Sequence, residues 1–277
     1  MTTGESASVR TIPPAPATRI LLLGASNLTL SFPLIVNSLR HSLTRPLEIF
    51  AAHGHGRSFC QWSYVLNRGL PPIPQCGLWD ELNRRSISSV QWALVADVGN
   101  DLIYGRSVEE LLQQVQLTFQ RLSALGAEIT FVRMPLERVL KLTERQYRIV
   151  KQLLFPGPTI PWEVISRRAI DVDEQSAQLA REFNSHVITP RLHWYGADPI
   201  HIRRSARIEA WKEILAIATR NQIPPIQMHR PSSRFALNLW RSPPLERTFH
   251  FGRTRHARYV NPQPSWSDPT GTTLWLY

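Results

Sequence analysis

The sequence predicts an α/β protein, with a parallel sheet of five strands covered by helices on both faces in three layers. Three observations predict it. Short apolar runs alternate with amphipathic segments from Arg19 to about Arg220. The first run, Ile20–Leu23, is continuously apolar rather than alternating, which suits a strand buried on both faces. Each run ends sharply at glycine or at a polar turn, as at Gly24, His53-Gly54-His55-Gly56 and Gly99-Asn100-Asp101.

The elements follow in order. Ile20–Leu23 is the first strand; it hands over at Gly24-Ala25-Ser26, and Pro33 fits the first turn of the helix that follows and runs to Leu43. Leu47–Ala52 is the second strand. An irregular stretch, Arg57–Trp79, precedes a short helix at Leu78–Arg85. Val90–Val98 is the third and most central strand. Val108, Leu111, Leu112, Val115, Phe119 and Leu122 recur at helical spacing over Val108–Leu125, and Gly126 stops that helix. Glu128–Val132 is the fourth strand and Leu136–Phe155 a helix. Asp171–Phe183 is a further helix that Asp171 or Asp173 caps, and His186–Ile188 is the fifth strand. Asp198 and Pro199 open the last core helix, which extends to about Arg220.

Three segments are expected. Residues 1–18 are polar and proline-rich and form a structureless lead. Residues 19–223 are the α/β domain. Residues 224–277 hold eight prolines, many arginines and no lysine, with Trp240, Trp266 and Trp275 among them. They read as an extended arm, partly disordered, that packs on the core or on a second subunit and so offers a route to a homo-oligomer.

The 277 residues suffice for one such domain with a large core. No apolar run reaches the ~20 residues that span a bilayer. The first residues lack the apolar stretch of a signal peptide, so a cytoplasmic protein is expected. Two cysteines, Cys60 and Cys76, are compatible with reduced thiols. The net charge of +11 is mostly arginine spread along the chain, without a block of like charges or a nucleic-acid motif. A solvated basic surface is therefore expected rather than nucleic-acid binding.

In a parallel sheet, ligands bind beyond the carboxyl ends of the strands. Ser26, the His53–Gly56 turn and Asn100 all lie at that edge, and the loop after the fifth strand brings Asp198 and His201 to it. Acyl transfer needs a hydroxyl nucleophile, an imidazole to take its proton, an acid to orient the ring, and donors aimed at the oxyanion. Ser26, His201 and Asp198 are of the first three types. Gly56, with Gly54 as its rival, and Asn100 supply donors. His53 and His55 are metal-ligating types, but no third ligand stands near them in sequence, so they read as the pocket mouth. Trp62, Tyr104, Trp194 and Tyr195 are placed to shape the acyl or alcohol pocket.

Four blocks in order, Gly24-Ala25-Ser26, Gly56-Arg57-Ser58, Val98-Gly99-Asn100-Asp101 and Asp198-Pro199-Ile200-His201, resemble those of the SGNH hydrolases, the GDSL-type esterases and lipases. The resemblance covers roughly Arg19 to Arg220 and implies a flavodoxin-like fold. It implies Ser26 as nucleophile, His201 as general base and Asp198 as its orienter. It also implies an oxyanion hole from the Ser26 and Gly56 N–H groups and the Asn100 amide, with no metal or cofactor. Two positions depart from the pattern: Ala25 stands where the family has the aspartate that supports the turn, and Val98 where it has glycine. The activity implied is hydrolysis of a carboxylic ester of a small-molecule, carbohydrate or lipid substrate. An acyltransferase on the same site and a non-catalytic binding protein with a basic surface stand as alternatives.

Overall fold

The computed structural model describes residues 17–43, 46–65, 67–87, 89–154, 160–220, 225–251 and 255–277. Most of the expected N-terminal lead lies outside the described residues. In chain order the elements are β1 (Thr18–Leu23), α1 (Ser26–Ser42), β2 (Leu47–Ala52), β3 (Ser63–Val65), β4 (Arg68–Leu70), α2 (Leu78–Arg84) and β5 (Trp92–Val95). Then come α3 (Asn100–Ile103), α4 (Val108–Ala124), β6 (Glu128–Val132), α5 (Leu136–Leu140), α6 (Glu144–Leu154), α7 (Trp162–Glu182) and β7 (His186–Ile188). The chain closes with α8 (Arg207–Ala218), α9 (Ser233–Arg241), β8 (Glu246–Phe251), β9 (Arg255–Val260), β10 (Trp266–Ser267) and β11 (Thr272–Leu276).

The main sheet has seven strands, ordered β10-β11-β2-β1-β5-β6-β7. The five expected strands are all present and mutually parallel in the order β2-β1-β5-β6-β7, so the expected third strand, β5, lies at their centre and β1 stands between β2 and β5. The count of five is corrected by the C-terminal residues. β11 pairs parallel to β2, from Thr272 opposite Leu47 to Leu276 opposite Ala51, and β10 adds an antiparallel edge. A second sheet, β3-β4-β8-β9, is built from antiparallel pairs.

The pleat explains the three layers, because successive side chains point to opposite faces. Leu21, Leu23, Phe50 and Ala52 face α2, α4 and α7 through Trp79, Phe119 and Ile165. Ile20, Leu22, Ile49 and Ala51 face α1 and α8 through Phe32, Ile35, Trp211 and Ile214. All four leucine and isoleucine residues of β1 are fully buried. Each such side chain stabilises the fold by about 1.5–3 kcal/mol relative to exposure. Ser107 and Glu110 close a reciprocal capping box at the start of α4, satisfying two N–H groups that the helix leaves open.

Four helix limits differ from expectation. α1 already begins at Ser26, so Pro33 lies inside it and not in its first turn. Leu136–Phe155 breaks into α5 and α6, with Thr143 and Gln146 bonding each other at the second start. α7 begins at Trp162 after Pro161, not at Asp171; Asp173 lies inside it and is buried in an ion pair with Arg133 at 2.5 Å. α8 begins at Arg207, not at Asp198. The Asp198 carboxylate instead accepts from the N–H groups of Ile200 and His201, which makes a turn of the loop before the helix.

Candidate active site

β1 ends at Leu23 and α1 starts three residues later, so Ser26 sits at the carboxyl edge of a central strand and the N-terminus of a 17-residue helix. Its N–H belongs to the first turn, where no intrahelical partner exists. The turn is fixed on the sheet by the Gly24 N–H, which donates to Ala52 at 3.1 Å. Ser26 is 8% exposed.

His201 arrives from the loop after β7. Ser26 Oγ lies 2.8 Å from His201 Nε2, and His201 Nδ1 lies 2.6 Å from Asp198 Oδ2. Burial would raise the Asp198 carboxyl, but bonds from the His201 ring and from the Ile200 and His201 N–H groups outweigh this and hold it below its ordinary value. The ionised carboxylate keeps the proton on Nδ1, so Nε2 is left to accept from the serine hydroxyl. Such a relay can draw a proton off the hydroxyl as it attacks.

Two residues that sequence reasoning gave no role hold this geometry. Asp97 follows the end of β5 in left-handed backbone, with φ +59°. Its Oδ2 accepts from the Ala25 N–H at 2.9 Å and the Leu28 N–H at 3.2 Å, and its Oδ1 from the Asn27 amide at 2.7 Å. Asn27 in turn donates to the Ile200 carbonyl at 2.9 Å and accepts from the Ile202 N–H at 2.8 Å. The neighbour of Ser26 thus grips the chain on both sides of His201. The signal in the sequence was an aspartate closing an apolar run, at the same edge where Ala25 leaves the turn without an acid.

Asn100 opens α3 and donates to the Arg57 carbonyl at 3.0 Å, leaving one amide proton. It lines one cavity with Ser26, whereas Gly56 does not line that cavity. Gly56 is tied to the same loop: its carbonyl accepts from the Tyr104 hydroxyl at 2.6 Å, and its backbone is left-handed at φ +62°. Burial, with Asp101 adding to it, raises the Tyr104 phenol, so it remains a donor. Gly54 is small for packing, since a Cβ there would sit 2.1 Å from Leu70 Cδ1. Asp101 is fully buried and anchors the Gly56-Arg57-Ser58 block by accepting from the Ser58 hydroxyl and from the Phe59 and Cys60 N–H groups. Of the expected aromatic residues, Tyr195 lines the Ser26 cavity. Trp194 is buried in the core, and Tyr104 serves the Gly56 carbonyl.

His53 bonds the Thr29 hydroxyl at 3.0 Å and lies against the Phe32 ring. Burial first, and then Arg57, Arg68 and His55, push its pKa down to about 3. A histidine whose pKa falls on folding binds fewer protons folded than unfolded. Stability therefore rises with pH between about 3 and the ordinary value of 6.5, by at most about 1.4 kcal/mol per pH unit. Denaturant titrations from pH 5 to 6.5 should show this slope, and His53→Gln should flatten it. An unchanged slope in the variant would contradict the assignment. His55, lowered by burial and by His201, adds in the same direction.

No protein-family model and no curated protein matches the chain. Among solved structures it is similar to the psychrotrophic esterase EstA from Pseudoalteromonas sp., at 12% identity over 73% of this chain and 97% of that one, with a TM-score of 0.44. It is also similar to TesA, at 13% identity over 74% and 100%, with a TM-score of 0.45. AlinE4, an SGNH-hydrolase family esterase, aligns at 16% identity over 82% and 92%, with a TM-score of 0.37.

Proposed function

We propose that the chain is a serine ester hydrolase of SGNH type, acting through an acyl-enzyme on Ser26. The observation that carries this reading is the unbroken series Ser26 Oγ, His201 Nε2, His201 Nδ1, Asp198 Oδ2, with contacts of 2.8 and 2.6 Å. The four sequence blocks at one sheet edge support it.

Ser26 Oγ attacks the ester carbonyl as His201 Nε2 takes the hydroxyl proton. The imidazolium that forms is stabilised by the ionised Asp198. The negative charge on the carbonyl oxygen falls to the Ser26 N–H, the Asn100 amide and the Gly56 N–H. Collapse of the tetrahedral species breaks the bond to the alcohol oxygen, which receives its proton from His201. Water then attacks the acyl-enzyme with His201 again as base, releasing the acid and restoring the Ser26 hydroxyl. The test is turnover of p-nitrophenyl esters by the parent and by Ser26→Ala, with free acid as the product.

Asp97 acts here as a positioning residue. It replaces the missing acid at position 25 by reaching across from β5 to the Ala25 N–H. Asp97→Ala should lower kcat by about 10–100-fold with little change in KM, since displacements of about 1 Å in an oriented site cost up to 10²-fold. Asp97→Asn, which keeps one acceptor and tolerates the left-handed backbone, should lose less. Steady-state kinetics of both variants decide this, and a kcat equal to the parent's in Asp97→Ala would contradict it.

A further inference from the structure

We propose that the cavity beside Ser26 is an acyl pocket for an unbranched, uncharged alkanoyl group of about six to eight carbons. The inference rests on the hydrolase reading and adds the class of acyl group to it. The cavity has a volume of about 140 Å³ and begins at Ser26. Ser26, Asn27, Asp97 and Asn100 line it on the side of the Ser26–His201 pair, and Arg133, Tyr147, Lys151 and Tyr195 are further polar side chains in its lining. The Asp97 carboxylate is already engaged by three donors from the Ser26 turn. Farther in, the wall is formed by Val98, Met134, Tyr147, Trp162, Ile165 and Ala169.

The helices α5–α7 supply most of this inner wall, and its side chains are packed rather than free to reshape: the Trp162 and Tyr147 rings lie 5.1 Å apart between centroids, tilted by 38°. The Tyr147 hydroxyl donates to the Ile160 carbonyl at 3.0 Å, so it is committed within the protein. Arg133 reaches the wall with its charge met by Asp173. Lys151, 3% exposed, also contributes to it. A hydroxylated acyl group would find few partners among these side chains and would lose its water on entering. An alkyl chain loses nothing and leaves water.

Size sets the length. A dry apolar cavity of about 150 Å³ holds a six-carbon ring. A chain of about six carbons therefore fills this one with its carbonyl at Ser26, and the open end admits about two more. Position 98 agrees with this. The valine that departs from the glycine of the family pattern lines the cavity and adds an apolar side chain to its wall.

The experiment is a kcat/KM series with p-nitrophenyl acetate to decanoate, and with the mono-p-nitrophenyl ester of adipic acid. Between acetate and hexanoate kcat/KM should rise about fourfold per methylene, about 0.8 kcal/mol each, and it should fall by decanoate. Ala169→Phe fills the inner wall and should lower the hexanoate-to-acetate ratio by about tenfold or more, while Ile165→Ala enlarges it and should move the optimum to longer chains. The opposite directions separate pocket shape from general damage. In parallel, 2-octanone, which has a carbonyl and a hexyl chain but no scissile bond, is titrated calorimetrically into the parent and Ala169→Phe. Saturable binding that weakens in the variant supports the pocket even where no ester is turned over; that result would overturn the hydrolase reading alone. A parent that hydrolyses acetate best, prefers the adipate ester to hexanoate, or keeps its chain-length profile in both variants would overturn the alkanoyl pocket and leave the hydrolase standing.

Discussion

Ser26→Ala should lower kcat for p-nitrophenyl ester hydrolysis by about 10⁴–10⁶-fold while the protein stays folded. The substitution removes one oxygen from a side chain 8% exposed at the start of α1. Alanine suits a helical first turn, and the main-chain bonds that fix the turn, from Gly24, Ala25 and Leu28, remain. What goes is the atom that bonds to the acyl carbon in the proposed mechanism. His201 Nε2 then has no hydroxyl to deprotonate, and direct attack by water must do without the covalent intermediate. Substrate would still meet the cavity walls and the proposed oxyanion donors, so KM should change little. Thermal melts of parent and variant should superimpose within a few degrees. A variant that keeps more than about a hundredth of the parental kcat would contradict Ser26 as nucleophile.

The second large effect is expected at Asn100. Asn100→Ala should reduce kcat by about 10²–10³-fold, the usual consequence of losing one donor to a developing oxyanion. The donor matters in the transition state, where the carbonyl oxygen carries charge, so the loss should fall on kcat rather than KM. One Asn100 proton goes to the Arg57 carbonyl at 3.0 Å, and this bond ties the loop bearing Gly56 to the start of α3. The loop has other anchors, because Asp101 holds Ser58, Phe59 and Cys60 and Tyr104 holds the Gly56 carbonyl. Tm should therefore fall by less than kcat implies. A full kcat with altered KM would instead assign Asn100 to ground-state binding.

Much of the central fold was legible because it is written locally. Ile20–Leu23 and Trp92–Val95 are unbroken apolar runs with sharp stops, and only a strand buried on both faces suits them. The amphipathic period of α4 likewise needs no tertiary information. β11 was not legible. Thr272–Leu276 follows a stretch dense in proline and arginine, and what makes it a strand is the open edge of β2, more than two hundred residues earlier. Propensity for a strand depends on the partner and the burial it meets.

The same limit appears at single residues. Asp171, Asp173 and Asp198 all resemble helix caps in sequence, since an aspartate before an apolar period is the local signal. Asp173 is instead a buried partner for Arg133, and Asp198 a partner for the His201 ring. Local pattern does not separate a cap from a carboxylate whose partner is distant in the chain. Ser26, His201 and Asp198 were singled out because their spacing matches a known order of blocks, and the fold brings them within hydrogen-bond reach. Asp97 and Asn27 were missed because their bonds, to Ala25 and to the chain either side of His201, exist only once β1 and β5 lie side by side.

The most direct test of the central claim is mass spectrometry of the protein after reaction with a fluorophosphonate. One phosphonyl adduct per chain is expected, on the peptide containing Ser26. The adduct should be slowed by competing ester, strongly reduced in His201→Ala and absent in Ser26→Ala. An unlabelled parent protein, or an adduct that persists in Ser26→Ala, would contradict it.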